Sequence, residues 1–137
     1  EALLLAARGV NAMHDATRGG LLETLMEIAL LSNVGIEVDT SKIPRHHLVE
    51  RFSKAFGFDP LAMISSGTLA ATIPEKRAAA VIEELHARHI VCAAIGKVVQ
   101  GGGLRILREG RVDVYREVHC EEDELARIWA VHKPDTC

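Results

Sequence analysis

A short polar segment that ends in two glycines contains the residue types best suited to chemistry. It combines an imidazole, a carboxylate, a hydroxyl and a guanidinium with the glycine pair: His14, Asp15, Thr17, Arg18, Gly19 and Gly20. Glycine has no Cβ, so the backbone there can turn sharply and approach a ligand closely. The first N–H groups of a helix lack partners within the helix and bind anions readily. The segment therefore predicts an anion site, to which Arg18 adds a forked, permanent charge.

A simpler interpretation is that the segment only starts the helix that follows it. Asp15 or Thr17 would then cap the helix, which is worth about 1 kcal/mol. The glycine pair also lacks the spacing of a phosphate-binding loop or a dinucleotide fingerprint. Both interpretations require a helix directly after the glycine pair. Apolar residues at helical spacing predict such an amphipathic helix over residues 21–31.

Several segments together resemble the start of the C-terminal domain of the aminoimidazole ribonucleotide synthetase superfamily. They are H-D-A-T-R-G-G-L at residues 14–21, followed in order by residues 27–29, 35–38, 43–44, 59–61, 65–69 and 95–98. That superfamily includes hydrogenase maturation dehydratases of the HypE type, selenophosphate synthetase and thiamine-phosphate kinase. The D-x-T-R-G-G-L form is most similar to the HypE branch and to the AIR-synthase-related proteins.

The resemblance implies an α+β sandwich, in which helices flank a mixed β-sheet that is partly ferredoxin-like. In the superfamily a separate N-terminal domain binds ATP and Mg²⁺, and the C-terminal domain closes over the cleft. The implied partners are therefore the protein's own N-terminal domain, a second copy in a homodimer, and a small-molecule substrate. A phosphate or acyl phosphate would lie on the Gly19 and Gly20 amides, held by Arg18.

A second small-residue segment stands where HypE-type enzymes carry Asn-Glu-Gly. Its residues are Ser65, Ser66 and Gly67. Their hydroxyl and amide groups could donate hydrogen bonds to an anion, so they join the candidate substrate-binding or phosphate-binding residues. The acidic residue is absent, so no carboxylate can be assigned there. A plain turn before a strand explains the segment equally well.

The terminal cysteine resembles the carrier residue of HypE-type proteins. Those proteins end in Pro-Arg-Ile-Cys, whose thiolate is carbamoylated and then dehydrated to a thiocyanate. This chain ends in Pro-Asp-Thr-Cys, with the thiol on Cys137. An accessible thiolate would suit a carrier. Because the two middle residues differ and a helix is predicted just before the tail, an irregular tail without this role is the alternative.

Length and composition narrow the class of protein. The chain has 137 residues, of which 48% are hydrophobic, and a formal net charge of −3. We predict one globular domain over residues 1–137, without the basic footprint of a nucleic-acid-binding protein or a membrane span. The cysteines and histidines are scattered along the chain, so we predict neither disulfides nor a metal site. We expect the protein to reside in the reducing cytoplasm. The chain opens on a helical pattern without a starting Met, so we expect an excised piece of a longer protein.

The remaining pattern predicts alternating helices and strands. Helices are predicted over residues 2–8, 21–31, 45–56, 74–88 and 122–131, and strands over 10–13, 35–39, 68–73 and 91–99, with a hairpin joining 104–107 to 112–115. Between them, residues 59–63 fit one capped helical turn with Asp59 as the N-cap.

Three functions remain open at this point. The first is an ATP-dependent enzyme that acts on a small molecule through a phosphorylated intermediate. The second is a HypE-like hydrogenase maturation factor that acts on its own Cys137, and the third is a non-catalytic assembly or dimerisation module. The sequence contains no Walker A motif and no Asp-rich cluster. We therefore expect ATP and Mg²⁺ to bind mainly to the N-terminal domain, and this chain alone to be inactive.

Overall fold

Helices and strands alternate along the chain in the computed structural model, which describes residues 1–117 and 124–131. The helices are α1 (Ala2–Ala7), α2 (Gly20–Leu31), α3 (His47–Phe56), α4 (Glu75–His86) and α5 (Glu124–Val131), with a 3-10 turn at Thr40–Lys42. The strands are β1 (Ala12–Ala16), β2 (Gly35–Asp39), β3 (Thr68–Thr72), β4 (Gly96–Val99), β5 (Gly103–Arg108) and β6 (Arg111–Tyr115).

The described strands form two sheets. Four of them form a mixed sheet in the order β4-β2-β5-β6, in which β2 is antiparallel to β4 and parallel to β5. The predicted hairpin is confirmed as β5 and β6. Strands β1 and β3 pair antiparallel in a second, two-stranded sheet. The predicted fold class, an α+β arrangement of a mixed sheet with helices, is confirmed.

Helix α2 packs against the four-stranded sheet and forms the main core with it. Its apolar stripe, which includes Met26 and Ile28, shares one buried cluster with alternate residues of β2 and β5. Leu104 and Ile106 of β5 have no exposed surface. Because side chains alternate along a strand, Arg105 between them points to the other face and is exposed. The sheet thereby anchors α2, whose first residue is Gly20.

A smaller core joins α1 to α4. Leu5 packs there with Val81 and Leu85. An ion pair borders this core, since Arg8 Nε lies 2.7 Å from a carboxylate oxygen of Glu84. The hydrogen bond from Arg8 is the largest cause that holds the pKa of Glu84 below its ordinary value.

The strand predicted over residues 91–99 is wrong in its first half. Only Gly96–Val99 form β4, and Val91 is 80% exposed. An apolar run by itself does not separate a strand from other extended chain. Along this segment the ladder with β2 begins only at Gly96, where any Cβ would collide with the backbone carbonyl of Glu37.

Two other predicted boundaries move. The first strand is Ala12–Ala16 rather than residues 10–13, so Asp15 belongs to a strand and not to a loop. Helix α3 begins at His47 rather than at residue 45, because the His46 ring accepts the Leu48 N–H at 3.3 Å and caps the helix. The single domain over residues 1–137 stays a prediction.

Candidate functional site

The glycine pair forms a sharp corner between β1 and α2. Strand β1 ends at the fully buried Ala16, and Thr17 to Gly19 then lead into the helix. Gly19 has φ +72° and Gly20 has φ +63°, both in the left-handed region that favours glycine. We call residues 17–20 the glycine corner. Its backbone confirms the sharp turn that the sequence predicted.

Strand pairing brings the two predicted site segments together. In the β1–β3 ladder, Ala16 lies opposite Thr68, so residues 65–67 enter the sheet beside the glycine corner. The Ser65 hydroxyl lies 2.8 Å from the Thr68 hydroxyl, and Gly67 has φ +93° with open space at its Cβ position. The predicted residues Asp15, Thr17, Arg18, Gly19, Gly20, Ser65, Ser66 and Gly67 therefore lie at or next to one end of the two-stranded sheet.

A turn from elsewhere in the chain packs against the glycine corner. The Leu61 carbonyl accepts the Leu22 N–H at 2.9 Å, and it would lie 2.5 Å from a Cβ built on Gly20. The carbonyl of Met63 would also collide with that Cβ. Gly20 is thus required both by its φ and by the close approach of residues 59–63.

The expectation of two open amides at the corner is wrong for Gly20. Its N–H donates to the Thr17 carbonyl at 3.2 Å. At Gly19, the Glu23 carboxylate lies where a Cβ would point. Arg18 and Glu23 both have interaction partners within the chain. An anion at this corner would therefore compete with the existing partners of the Gly20 N–H and of Arg18. The anion site itself stays a prediction.

The side chain of His14 is held between the strand and the helix. Its Nδ1 lies 2.8 Å from the Asp15 carbonyl, and its Nε2 lies 2.9 Å from a Glu27 carboxylate oxygen. The backbone thus satisfies one ring nitrogen of His14. The Glu27 contact joins β1 to α2 and carried no signal in the sequence, because the two residues lie in different elements.

Asp59 is the N-cap that the sequence predicted, and it has a second partner that the sequence did not reveal. Its Oδ1 accepts the Leu61 N–H at 2.9 Å. Its Oδ2 lies 2.6 Å from Arg108 Nη2, at the end of β5. Burial disfavours the charge of Arg108 and so acts to lower its pKa, but the close Asp59 carboxylate outweighs burial, and the net result is a raised pKa. Arg108 therefore stays a cation.

The cysteines, possible metal ligands and possible membrane spans add no group to the glycine corner within the described residues. Burial raises the pKa of the Cys92 thiol, as expected for a small hydrophobe rather than a reactive thiolate. Cys137 lies outside the described residues. Within residues 1–117 and 124–131, no three His, Cys, Asp or Glu side chains gather as metal ligands. No helix in the same ranges is both long enough and apolar enough to cross a bilayer.

Comparison with known proteins decides the family. The family model described as "AIR synthase related protein, C-terminal domain" matches residues 1–109. This chain belongs to the AIR synthase related family, as a C-terminal domain. The superfamily resemblance carried by the glycine corner is thereby confirmed.

Curated relatives and solved structures agree with this assignment. The carbamoyl dehydratase HypE of Rhizobium leguminosarum bv. viciae is 38% identical over 100 residues, which cover 70% of this chain and 29% of that protein. E. coli HypE superimposes with a TM-score of 0.76 at 29% identity, covering 92% of this chain and 41% of its own. A HypE structure in complex with ATP gives a TM-score of 0.74 at 28% identity, covering 85% and 38%. The chain thus spans less than half of each of these proteins.

Proposed function

We propose that this chain is the C-terminal domain of an ATP-dependent enzyme of the HypE type, in which Asp15 and residues 17–20 and 65–67 contact the substrate. The observation that supports this best is the pairing of Ala16 with Thr68, which brings both segments to one end of the β1–β3 sheet. Family membership and the similarity to HypE proteins, one of them solved with ATP, support the same assignment.

The proposal assigns ATP and Mg²⁺ to a separate N-terminal domain. The described residues of this chain offer no group of three metal-ligating side chains, so they do not fit a magnesium–nucleotide centre by themselves. The protein's own N-terminal domain is the proposed partner that completes the cleft, and the homodimer stays a prediction.

The contribution of this chain is to bind and orient the phosphorylated or acyl-phosphate group of the substrate. Arg18 presents a guanidinium whose planar fork matches two oxygens of a phosphate or carboxylate. The Ser65 and Ser66 hydroxyls and the backbone beside Gly67 offer further donors in the turn just before β3. The left-handed backbone at Gly19 and Gly20 turns the chain directly after Arg18.

The Arg18→Ala variant of the full-length protein tests this proposal. A hydrogen bond to a charged group is worth about 1.5–3 kcal/mol, so kcat/KM for ATP-dependent turnover should fall by about 10- to 150-fold. Arg51→Ala is the matched control, because Arg51 is an exposed arginine on α3, outside the candidate site. Equal kinetics in Arg18→Ala, Arg51→Ala and the wild type would count against the proposal and favour the non-catalytic assembly module.

A more specific candidate is carbamoyl dehydration on Cys137. The HypE relatives are named carbamoyl dehydratases, and this chain carries Pro-Asp-Thr-Cys at residues 134–137, with a proline three residues before the cysteine. On this proposal an S-carbamoyl group on the thiol loses one oxygen and two hydrogens, together one water, and becomes a thiocyanate. Ser66 stands where HypE-type enzymes carry an acidic residue, so the carboxylate of that chemistry would have to come from another position.

Intact-mass measurement separates this candidate from the broader one. The full-length protein, isolated from cells that mature hydrogenases, should carry a carbamoyl or cyano adduct that disappears in Cys137→Ser. Cys92→Ser is the control, since that thiol is half-buried within the described fold. Absence of any adduct on Cys137, with ATP-dependent turnover retained, would remove the carrier role and leave the broader proposal standing.

A further inference from the structure

The Asp59 carboxylate uses its two oxygens on two different parts of the fold. Oδ1 accepts the Leu61 N–H at 2.9 Å and closes the turn of residues 59–63. Oδ2 lies 2.6 Å from Arg108 Nη2 at the carboxyl end of β5. One side chain therefore fastens this turn to the four-stranded sheet that also carries α2.

The fastened turn is the one that packs against the glycine corner. The Leu61 carbonyl accepts the Leu22 N–H, and the carbonyls of Leu61 and Met63 lie directly over Gly20. A displacement of the turn would release a backbone hydrogen bond at the start of α2 and the steric contact that holds Gly20. Arg18 lies two residues before Gly20 in the chain.

The surroundings of Arg108 favour a fixed ion pair over a mobile surface contact. Its Nε and Nη2 atoms are buried, although the Asp59 contact is an ion pair rather than a well-aligned hydrogen bond. Asp113 approaches Nε at 3.5 Å from the adjacent strand β6. Removing a partner from a buried charge is more costly than removing one from an exposed pair.

We propose that Asp59 and Arg108 are positioning residues for the glycine corner: they hold residues 59–63 over Gly20 and thereby set the placement of Arg18. This inference rests on the proposed function, because it assigns the pair a role in substrate turnover as well as in stability. A turn cap alone would need only an acceptor at position 59. The negative charge of the Asp59 side chain is explained by its ion pair with Arg108.

Three variants of the full-length protein separate the pair from the cap. Asp59→Asn keeps an oxygen for the Leu61 N–H but removes the charge, Arg108→Met removes the cation, and Arg108→Lys restores it. Asp39→Asn is the matched control, because the Asp39 Oδ1 also accepts an N–H two residues ahead, from Ser41 at 3.0 Å, and caps a different turn, the 3-10 turn at Thr40–Lys42.

Two measurements are made on each variant. In Asp59→Asn and Arg108→Met, the Leu22 amide should exchange with deuterium about tenfold faster, and kcat should fall about tenfold with little change in KM for ATP, as for a small misplacement of a catalytic site. Arg108→Lys should recover part of both losses. Asp39→Asn should leave both at the wild-type values.

The outcomes distinguish the two proposals. If Arg18→Ala lowers turnover but Arg108→Met and Asp59→Asn do not, the positioning role is overturned and the proposed function stands. Faster Leu22 exchange with unchanged kcat overturns it equally, since the pair would then be structural only. If turnover is insensitive to Arg18→Ala as well, the proposed function fails and the positioning role fails with it. Should Arg108→Met not fold, Asp59→Asn and Arg108→Lys decide the same question.

Discussion

The substitution Gly20→Ala examines the glycine corner most directly. Gly20 has φ +63°, and an added Cβ would meet the backbone carbonyls of Leu61 and Met63. These atoms cannot move aside as the end of a flexible side chain can, because the Leu61 carbonyl also accepts the Leu22 N–H. Gly57→Ala provides a matched comparison, since Gly57 has φ +64° and nothing lies within 4 Å of its Cβ position.

The two substitutions share one cost and differ in the other. A left-handed backbone costs an alanine roughly 1–2 kcal/mol, which applies equally at positions 20 and 57. Overpacking against fixed atoms adds about 1–3 kcal/mol at position 20 alone. We therefore expect the free energy of unfolding to fall by about 2–5 kcal/mol in Gly20→Ala and by about 1–2 kcal/mol in Gly57→Ala.

Urea denaturation followed by circular dichroism measures both values. Comparable m-values in the two variants and the wild type would show that the change lies in stability and not in the unfolded state. The difference between the variants isolates the collision with residues 59–63. Equal destabilisation in Gly20→Ala and Gly57→Ala would refute the close packing of that turn on the corner, and with it the geometric basis of the positioning pair.

Two further predictions concern titratable groups. The hydrogen bond from Arg8 lowers the pKa of Glu84, so its contribution to stability is present above the pKa of the unfolded state and is lost as pH falls. Wild type should therefore be more stable than Glu84→Gln at pH 7 but not well below about pH 4, and a pH-independent difference would contradict this. Burial raises the pKa of Cys92, so iodoacetamide at pH 8 should alkylate Cys92 more slowly in the folded chain than in urea, as followed by peptide mass mapping. Equal rates would contradict this assignment.

Elements with a strong local pattern were predicted well. The strand at residues 35–39 matches β2, and the helix predicted from residue 21 is α2, which begins one residue earlier. The hairpin is confirmed, and its turn places Glu109 at φ +47° and Gly110 at φ +84°. Each of these depends on residues close together in the chain, where periodicity and turn chemistry act.

The corner itself was predicted in part. The glycine pair indicated a sharp turn before a helix, and the two left-handed backbones confirm it. The amide of Gly20 was expected to be open, and instead it donates to Thr17. Local sequence shows that a helix must begin there, but not which carbonyl from another part of the chain packs against its first turn.

Residues 91–95 show where local sequence pattern gave a wrong prediction. Their apolar composition predicted a longer strand, but a strand also needs a partner, and the ladder with β2 begins only at Gly96. In the same way, the sequence predicted Asp59 as a cap and placed Arg108 in the hairpin turn, but it did not predict the ion pair between them.

The amino-acid sequence by itself therefore determined the order of the elements and the residues able to turn the chain at the corner, because these follow from spacing along the backbone. The resemblance of its motifs indicated the family. The tertiary structure alone decided that residues 65–67 lie beside residues 17–20 and that Asp59 meets Arg108. Such contacts join segments far apart in sequence. They form only when the strands pair and α2 packs on the sheet, where burial rather than local propensity sets the geometry.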